Sequence, residues 1–370
     1  MTCCTLDGPS RRAFLASLLG VVATACAGPT ADAAARRQRD LLRQGEAAVA
    51  AAPVVDLHAH PGRFTRRDAG ELRTGAIAEM RAARVSCAFF AAVGDGPLIR
   101  REPGGIKSFR EPRPDELHRS TLGQLGRVRA RADDGSLGLV LEAGDLLRLA
   151  RAGRVAALLA LEGGDPLEGD AGRVRELHGL GVRSIQLVHY RVNELGDIQT
   201  EAPRHGGLTP AGFEVVAEMN RLRMVVDGAH ASPDTLRAIL AASRSPVVIS
   251  HTGPAALRTY SRHLSDDLLR AVAAQGGVIG VWPLVQRRPA PLDQFLADLR
   301  HVRRVAGIDH TAVATDMTGM ANFTAVLTYE EFAAVPAALL AGGFSEADCR
   351  QLLGGNALRV VESVLAGAQP

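Results

Sequence analysis

Eight short apolar runs recur between Val54 and Asp316, and stretches of helical period separate them. They are VVDLH (Val54 to His58), CAFFAAV (Cys87 to Val93), VAALLALE (Val155 to Glu162), RSIQLVH (Arg183 to His189), MVVDGAH (Met224 to His230), PVVISH (Pro246 to His251), GVIGVW (Gly277 to Trp282) and TAVATD (Thr311 to Asp316). Between them lie amphipathic stretches such as PAGFEVVAEMNRLR and SPDTLRAILAAS. Parallel strands need a crossover long enough to hold a helix, so this alternation predicts a parallel sheet. Eight such units predict an α/β fold, a (β/α)8 barrel of TIM type, over residues 53–370.

One connection is longer than the rest. Between Gly94 and Gly153 the chain holds LGLVLEA, a candidate extra strand, and GDGPLIRREPGGIKSFREPRPDE, rich in glycine, proline and arginine. We expect the latter to be an insertion between strands 2 and 3, near the barrel mouth, with the character of a lid.

At 370 residues, 46% of them hydrophobic, the chain can bury a large core. Its net charge of +3 is small for that length, with arginines scattered among acids, so no nucleic-acid partner is expected. Residues 1–26 differ from the body: SRRAFLASLLGVVATACAG sets Arg11 and Arg12 before an apolar stretch too short to span a bilayer comfortably. It resembles a twin-arginine export signal, which implies a periplasmic or envelope location. Cys26 follows a weak lipoprotein box and is either a lipid anchor or a residue beside an ordinary cleavage site. Residues 27–52 read as an N-terminal helix or linker. Cys87 and Cys349 lie in no metal-type spacing and read as buried thiols.

Six of the eight runs end in a residue that can bind a metal or move a proton: His58, Glu162, His189, His230, His251 and Asp316. In such a barrel the carboxyl ends of all strands open on one face, so these groups would converge. His58 and His60 are two apart and, on a strand, point to the same side and can grip one ion. Asp56 shares that side, either as an orienter of an imidazole or as a buried polar residue. Glu162 ends an apolar run and needs a cation or donors if buried; Gly163 and Gly164 after it permit a tight turn. Imidazole and carboxylate together suit a divalent ion, zinc by default, and a shared carboxylate would let two ions sit about 4 Å apart. The chain has no dinucleotide fingerprint, phosphate loop or nucleophile elbow.

At these residues the chain resembles the renal (membrane) dipeptidase family of metal-dependent barrel hydrolases, within the amidohydrolase-like superfamily. The matching pieces run in the family's order through VVDLHAH, ALEGG, LGVRSIQLVH, GLTPAGFEVVAEMNRL, DGAHASPDT, VVISHTGPAAL, RHLSDDLLRAVAAQGGVIGV, ATDMTG and LLGGNALRVVE. The resemblance implies two zinc ions, one held by His58 and His60, the other by His230 and His251, with Glu162 bridging. It implies Asp316 as the proton-transfer residue, His189 as a group on the substrate carbonyl or oxyanion, and Arg262 as the partner of the substrate carboxylate. The expected activity is cleavage of a dipeptide or acyl-amino acid amide, the expected partner a small dipeptide-like substrate, and the expected assembly a homodimer. The rival readings are an amidohydrolase acting on a lactone, a β-lactam or another amide, and a silent ligand-binding surface lipoprotein.

Three departures bear on this. The family usually has His-x-Asp where this chain has His58-Ala59-His60, the form of the wider superfamily. A neutral imidazole in place of a carboxylate leaves the centre one charge more positive, which lowers the pKa of bound water and weakens ion retention. His263 stands where asparagine is common, and Tyr190 where a small polar residue is.

Overall fold

The computed structural model describes residues 29–50, 52–65, 72, 74–285, 292–319, 323–326 and 328–367. The segment expected to be an export signal and Cys26 lie outside the described residues, and among those described no helix is long and apolar enough to cross a membrane.

Eight parallel strands form a nearly closed barrel in chain order: β1 (Val54–Ala59), β2 (Val85–Val93), β3 (Ala156–Glu162), β4 (Val182–Gln186), β5 (Val225–Asp227), β6 (Val248–Thr252), β7 (Val278–Val281) and β8 (Thr311–Val313). All eight expected runs become strands, but several stop short of the polar residue that ends the run. The backbone leaves β5 and β8 before His230 and Asp316, which take φ of 65° and 49°. Such left-handed positions cannot continue a strand. The two candidate residues therefore stand on the loops above the rim.

Asp56 closes the ring. Its buried carboxylate accepts from the Thr315 backbone N–H at 2.8 Å, the Thr315 hydroxyl at 2.6 Å and the Tyr329 hydroxyl at 3.1 Å. Asp316 N–H then donates to the His58 carbonyl, and His60 N–H to the Met317 carbonyl. Burial pushes the Asp56 carboxyl up to about 6, against the hydrogen bonds from Thr315 that lower it. Of the two roles expected for Asp56, it orients no imidazole ring. It touches the His58 backbone and ties the first strand to the segment after the last.

The helix starts follow from local chemistry. Thr209, Ser232 and Ser265 each accept a backbone N–H of the first turn, from Gly212, Thr235 and Leu268, and Pro210 and Pro233 fill the first helical position without loss of a donor. At the opposite end of the barrel from the site, the helix Asn356–Ala366 touches β1, β5, β7 and β8 and packs Val360, Val361 and Val364 among strand residues. Its approach needs Gly354, where a Cβ would lie 2.0 Å from the Pro53 carbonyl oxygen. The helix Pro29–Ala50 packs on helices Val335–Ala341 and Glu346–Arg350.

The long connection contains the short strand Gly138–Leu139, paired with the start of β3, as LGLVLEA suggests. Ahead of it the insertion folds into a hairpin of Ile99–Glu102 and Gly105–Ser108. Ile99 and Ile106 of that hairpin line a cavity above the strand ends, so the insertion does stand at the barrel mouth.

Candidate metal centre

Glu162 is the hub on which the site is built. It ends β3 with a side chain about 95% buried, and its Oε1 lies 3.2 Å from His189 Nε2, 3.3 Å from His58 Nε2, 3.4 Å from His230 Nε2 and 3.6 Å from His251 Nε2. Its Oε2 lies 3.4 Å from His60 Nε2. Asp316 Oδ1 reaches His60 Nε2 at 3.4 Å and His58 Nε2 at 4.0 Å. The seven expected rim residues thus converge, from β1, β3, β6 and the segments following β1, β4, β5 and β8.

Glycines make that convergence possible. Gly163 turns the chain after Glu162 at φ 95°, and a Cβ there would sit 3.1 Å from His189 Cβ. Gly319 lies so close behind the centre that an added Cβ would be 2.1 Å from Asp316 Oδ1 and 2.4 Å from His60 Cδ2. Only a residue without a side chain leaves those two groups in place.

Hydrogen bonds orient the rings. His60 Nδ1 faces the Ala91 carbonyl at 2.7 Å, so Nδ1 carries a proton and Nε2 turns inward. His251 Nδ1 faces the Ser250 hydroxyl at 3.0 Å. Burial first, then the Arg262 guanidinium nearby, hold His230 well below the ordinary imidazole range; burial and the neighbouring His58 and Arg262 do the same for His251. Both are therefore neutral, the form that ligates a metal. Burial works against ionisation of Glu162, yet the imidazoles of His189 and His58 keep its carboxyl well below the usual range. For His60, burial is outweighed by the nearby carboxylates of Asp316 and Glu162, which push it up to about 10. These two carboxylates attract positive charge to one spot, as a cation site does.

The residues present fit a divalent ion. His58 Nε2 and Asp316 Oδ1 are buried without a hydrogen-bond partner, a costly arrangement unless something else satisfies them. His230 Nε2 and His251 Nε2 stand 3.0 Å apart. Two ligands of one tetrahedral zinc are separated by about 3.3 Å, so the spacing suits a shared ion. Three triads bring their ligand atoms within 4.8 Å of one another: His58, His60 and Asp316; His58, Glu162 and His251; Glu162, His189 and His230.

A cavity of about 170 Å³ opens over these groups and is walled by Tyr190, Tyr260, Trp282, Val93, Ile99 and Ile106. Arg262 is brought to the site but not into that wall. Its buried guanidinium donates to Gln199 Oε1 at 2.6 Å, lies 2.9 Å from His251 Nε2 and stacks on Trp282 at 5.2 Å. His263, beside it, directs Nδ1 to the Arg258 carbonyl. Sequence reasoning missed Asp95, buried under His189 at 2.6 Å. Its setting, VGDGP, reads as turn chemistry and gives no sign of a carboxylate entering a core.

The chain is 33% identical over 258 residues to the dipeptidase verJ of Clonostachys rogersoniana, covering 67% of this chain and 66% of that protein. It is 37% identical over 222 residues to the dipeptidase aclJ of Aspergillus oryzae, covering 57% of this chain and 52% of that protein. The chain thus spans between about half and two thirds of the length of these curated relatives. Among solved structures, the probable dipeptidase PvdM of Pseudomonas aeruginosa superposes with a TM-score of 0.77 at 21% identity, over 89% of this chain and 100% of that one. A metallo peptidase of Rhodobacter sphaeroides, liganded with a phosphinate mimic of the dipeptide L-Ala-D-Ala, gives 0.71 at 22% identity, over 84% and 99%. These likenesses confirm the fold. The family model for membrane dipeptidase, Peptidase family M19, matches residues 42–369, and the chain belongs to that family.

Proposed function

We propose that this chain is a metal-dependent hydrolase that cleaves a dipeptide or a closely related acyl-amino acid amide. One observation carries the reading: a buried carboxylate, Glu162, stands between 3.2 and 3.6 Å from the Nε2 atoms of five imidazoles at the open rim of the barrel. In this reading His58 and His60 hold one zinc ion and His230 and His251 the other, with Glu162 shared. The donor set of imidazole and carboxylate supports zinc. When bound, such ions polarise a carbonyl and lower the pKa of water.

The chain's own groups supply the rest. His189, across Glu162 from Asp316, donates from Nε2 to the substrate carbonyl oxygen as it gains negative charge. Asp316 takes the proton of the attacking water and delivers it to the leaving amine. Tyr190, Tyr260 and Trp282, with the hairpin's Ile99 and Ile106, restrict water and favour a small substrate with apolar side chains. Arg262 is the partner of the substrate carboxylate, which requires its guanidinium to give up His251. That exchange leaves the His251 lone pair to a cation. The basic pair Arg11 and Arg12 with the apolar stretch after it supports export to the periplasm or the cell envelope.

Dipeptide substrates are favoured over lactones by the family and by the dipeptide mimic bound to the Rhodobacter sphaeroides relative. A panel of dipeptides with both stereochemistries at the second residue, assayed beside lactones and a β-lactam, tests this directly. Hydrolysis of dipeptides is expected, lost on chelation and restored by zinc. Turnover confined to lactones, or unchanged after chelation, would refute the proposal.

A further inference from the structure

The chemistry above gives no task to Asp95, although its carboxylate is fully buried beside the centre. Its Oδ1 accepts from His189 Nδ1 at 2.6 Å and its Oδ2 from the Tyr190 backbone N–H at 2.9 Å. The ring and the peptide that follows it are therefore held by one side chain from a different loop.

The packing that brings it there is specific. Gly94 N–H donates to the Glu162 carbonyl at 2.8 Å, and a Cβ at Gly94 would lie 2.2 Å from the Gly163 carbonyl oxygen. The segments after β2, β3 and β4 are thus stacked in contact, and Asp95 reaches across the middle one. His60 and His251 are oriented differently: their Nδ1 atoms face a carbonyl and a hydroxyl. A carboxylate accepts a stronger hydrogen bond than either and admits only one ring orientation when its second oxygen is also engaged.

We propose that Asp95 is a positioning residue for the reaction: gripping both His189 and the Tyr190 peptide, it keeps His189 Nε2 aimed at the substrate carbonyl and out of the cation ligand set. The inference rests on the hydrolase reading above. It also decides between two roles the distances leave to His189, since the ligand atoms of Glu162, His189 and His230 lie within 4.8 Å of one another.

The test uses the full chain with zinc and two variants, Asp95→Asn and Asp95→Glu. Loss of an orienting partner typically costs on the order of 10- to 100-fold in activity. Asp95→Asn is expected to keep the wild-type zinc content and KM while kcat falls by that factor, and Asp95→Glu to recover part of the loss. Proton NMR with ¹⁵N-labelled histidine should show a strongly downfield Nδ1–H from His189 that Asp95→Asn abolishes. Wild-type kcat in Asp95→Asn would overturn the proposal. So would loss of one zinc per chain, because His189 would then be a ligand. If the wild-type chain hydrolyses no dipeptide, the functional reading fails by itself, and the resonance and zinc content still decide the grip of Asp95. Should Asp95→Asn not fold, the wild-type resonance and Asp95→Glu decide it.

Discussion

Glu162→Gln is expected to abolish both zinc retention and turnover while the barrel stays folded. The substitution keeps the shape of the side chain and removes the charge to which five imidazoles turn, all within 3.6 Å. An amide oxygen is a poorer ligand than a carboxylate and cannot serve two cations with equal strength. Metal ions supply several kcal/mol of transition-state stabilisation. At about 1.4 kcal/mol per decade, their loss is expected to lower kcat/KM by on the order of 10³-fold or more. Zinc content by elemental analysis and kcat/KM on a good dipeptide check this together. Retention of two ions and full activity would remove Glu162 from the centre.

Asp316→Asn is expected to separate metal binding from turnover. Asp316 Oδ1 has no hydrogen-bond partner among the described residues and lies 3.4 Å from His60 Nε2, while the loop that carries it is pinned through Thr315 to Asp56. The amide keeps this placement but cannot accept and release a proton. General acid–base catalysis is worth roughly 10²- to 10⁴-fold, so kcat should fall by that order with zinc content unchanged. Unaltered turnover would exclude Asp316 from proton transfer. Loss of an ion would instead place it among the ligands, beside His58 and His60.

Much of this centre is readable in the sequence because a parallel barrel converts chain order into spatial order. Once the eight runs are strands, their carboxyl ends must share a face, and the polar residues at those ends must meet. The glycines after Glu162 are legible for a similar reason, since a turn that close to a buried carboxylate leaves little room for side chains. Proline and serine or threonine before the helices announce their starts.

What the sequence hides depends on contacts between distant loops. Asp95 meets a histidine 94 residues away, and Asp56 a tyrosine 273 residues away. Neither pairing has a local period or spacing. Strand length is equally opaque: β5 and β8 are only three residues long, so His230 and Asp316 reach the site on left-handed turns and not as strand residues. Arg262 carries the sharpest lesson. The family resemblance implies a substrate-facing cation, and the structure shows its guanidinium buried on His251 and Trp282, where it must turn to meet a substrate. That difference arises because a long side chain near a rim can turn either way, and only packing decides.

Anomalous diffraction from zinc-loaded crystals tests the convergence of these groups most directly. Two zinc peaks are expected within coordination distance of Glu162, about 2.0–2.2 Å, one touched by His58 and His60 and the other by His230 and His251. Zinc elsewhere on the molecule, or none at Glu162 in protein that still cleaves dipeptides, would contradict it.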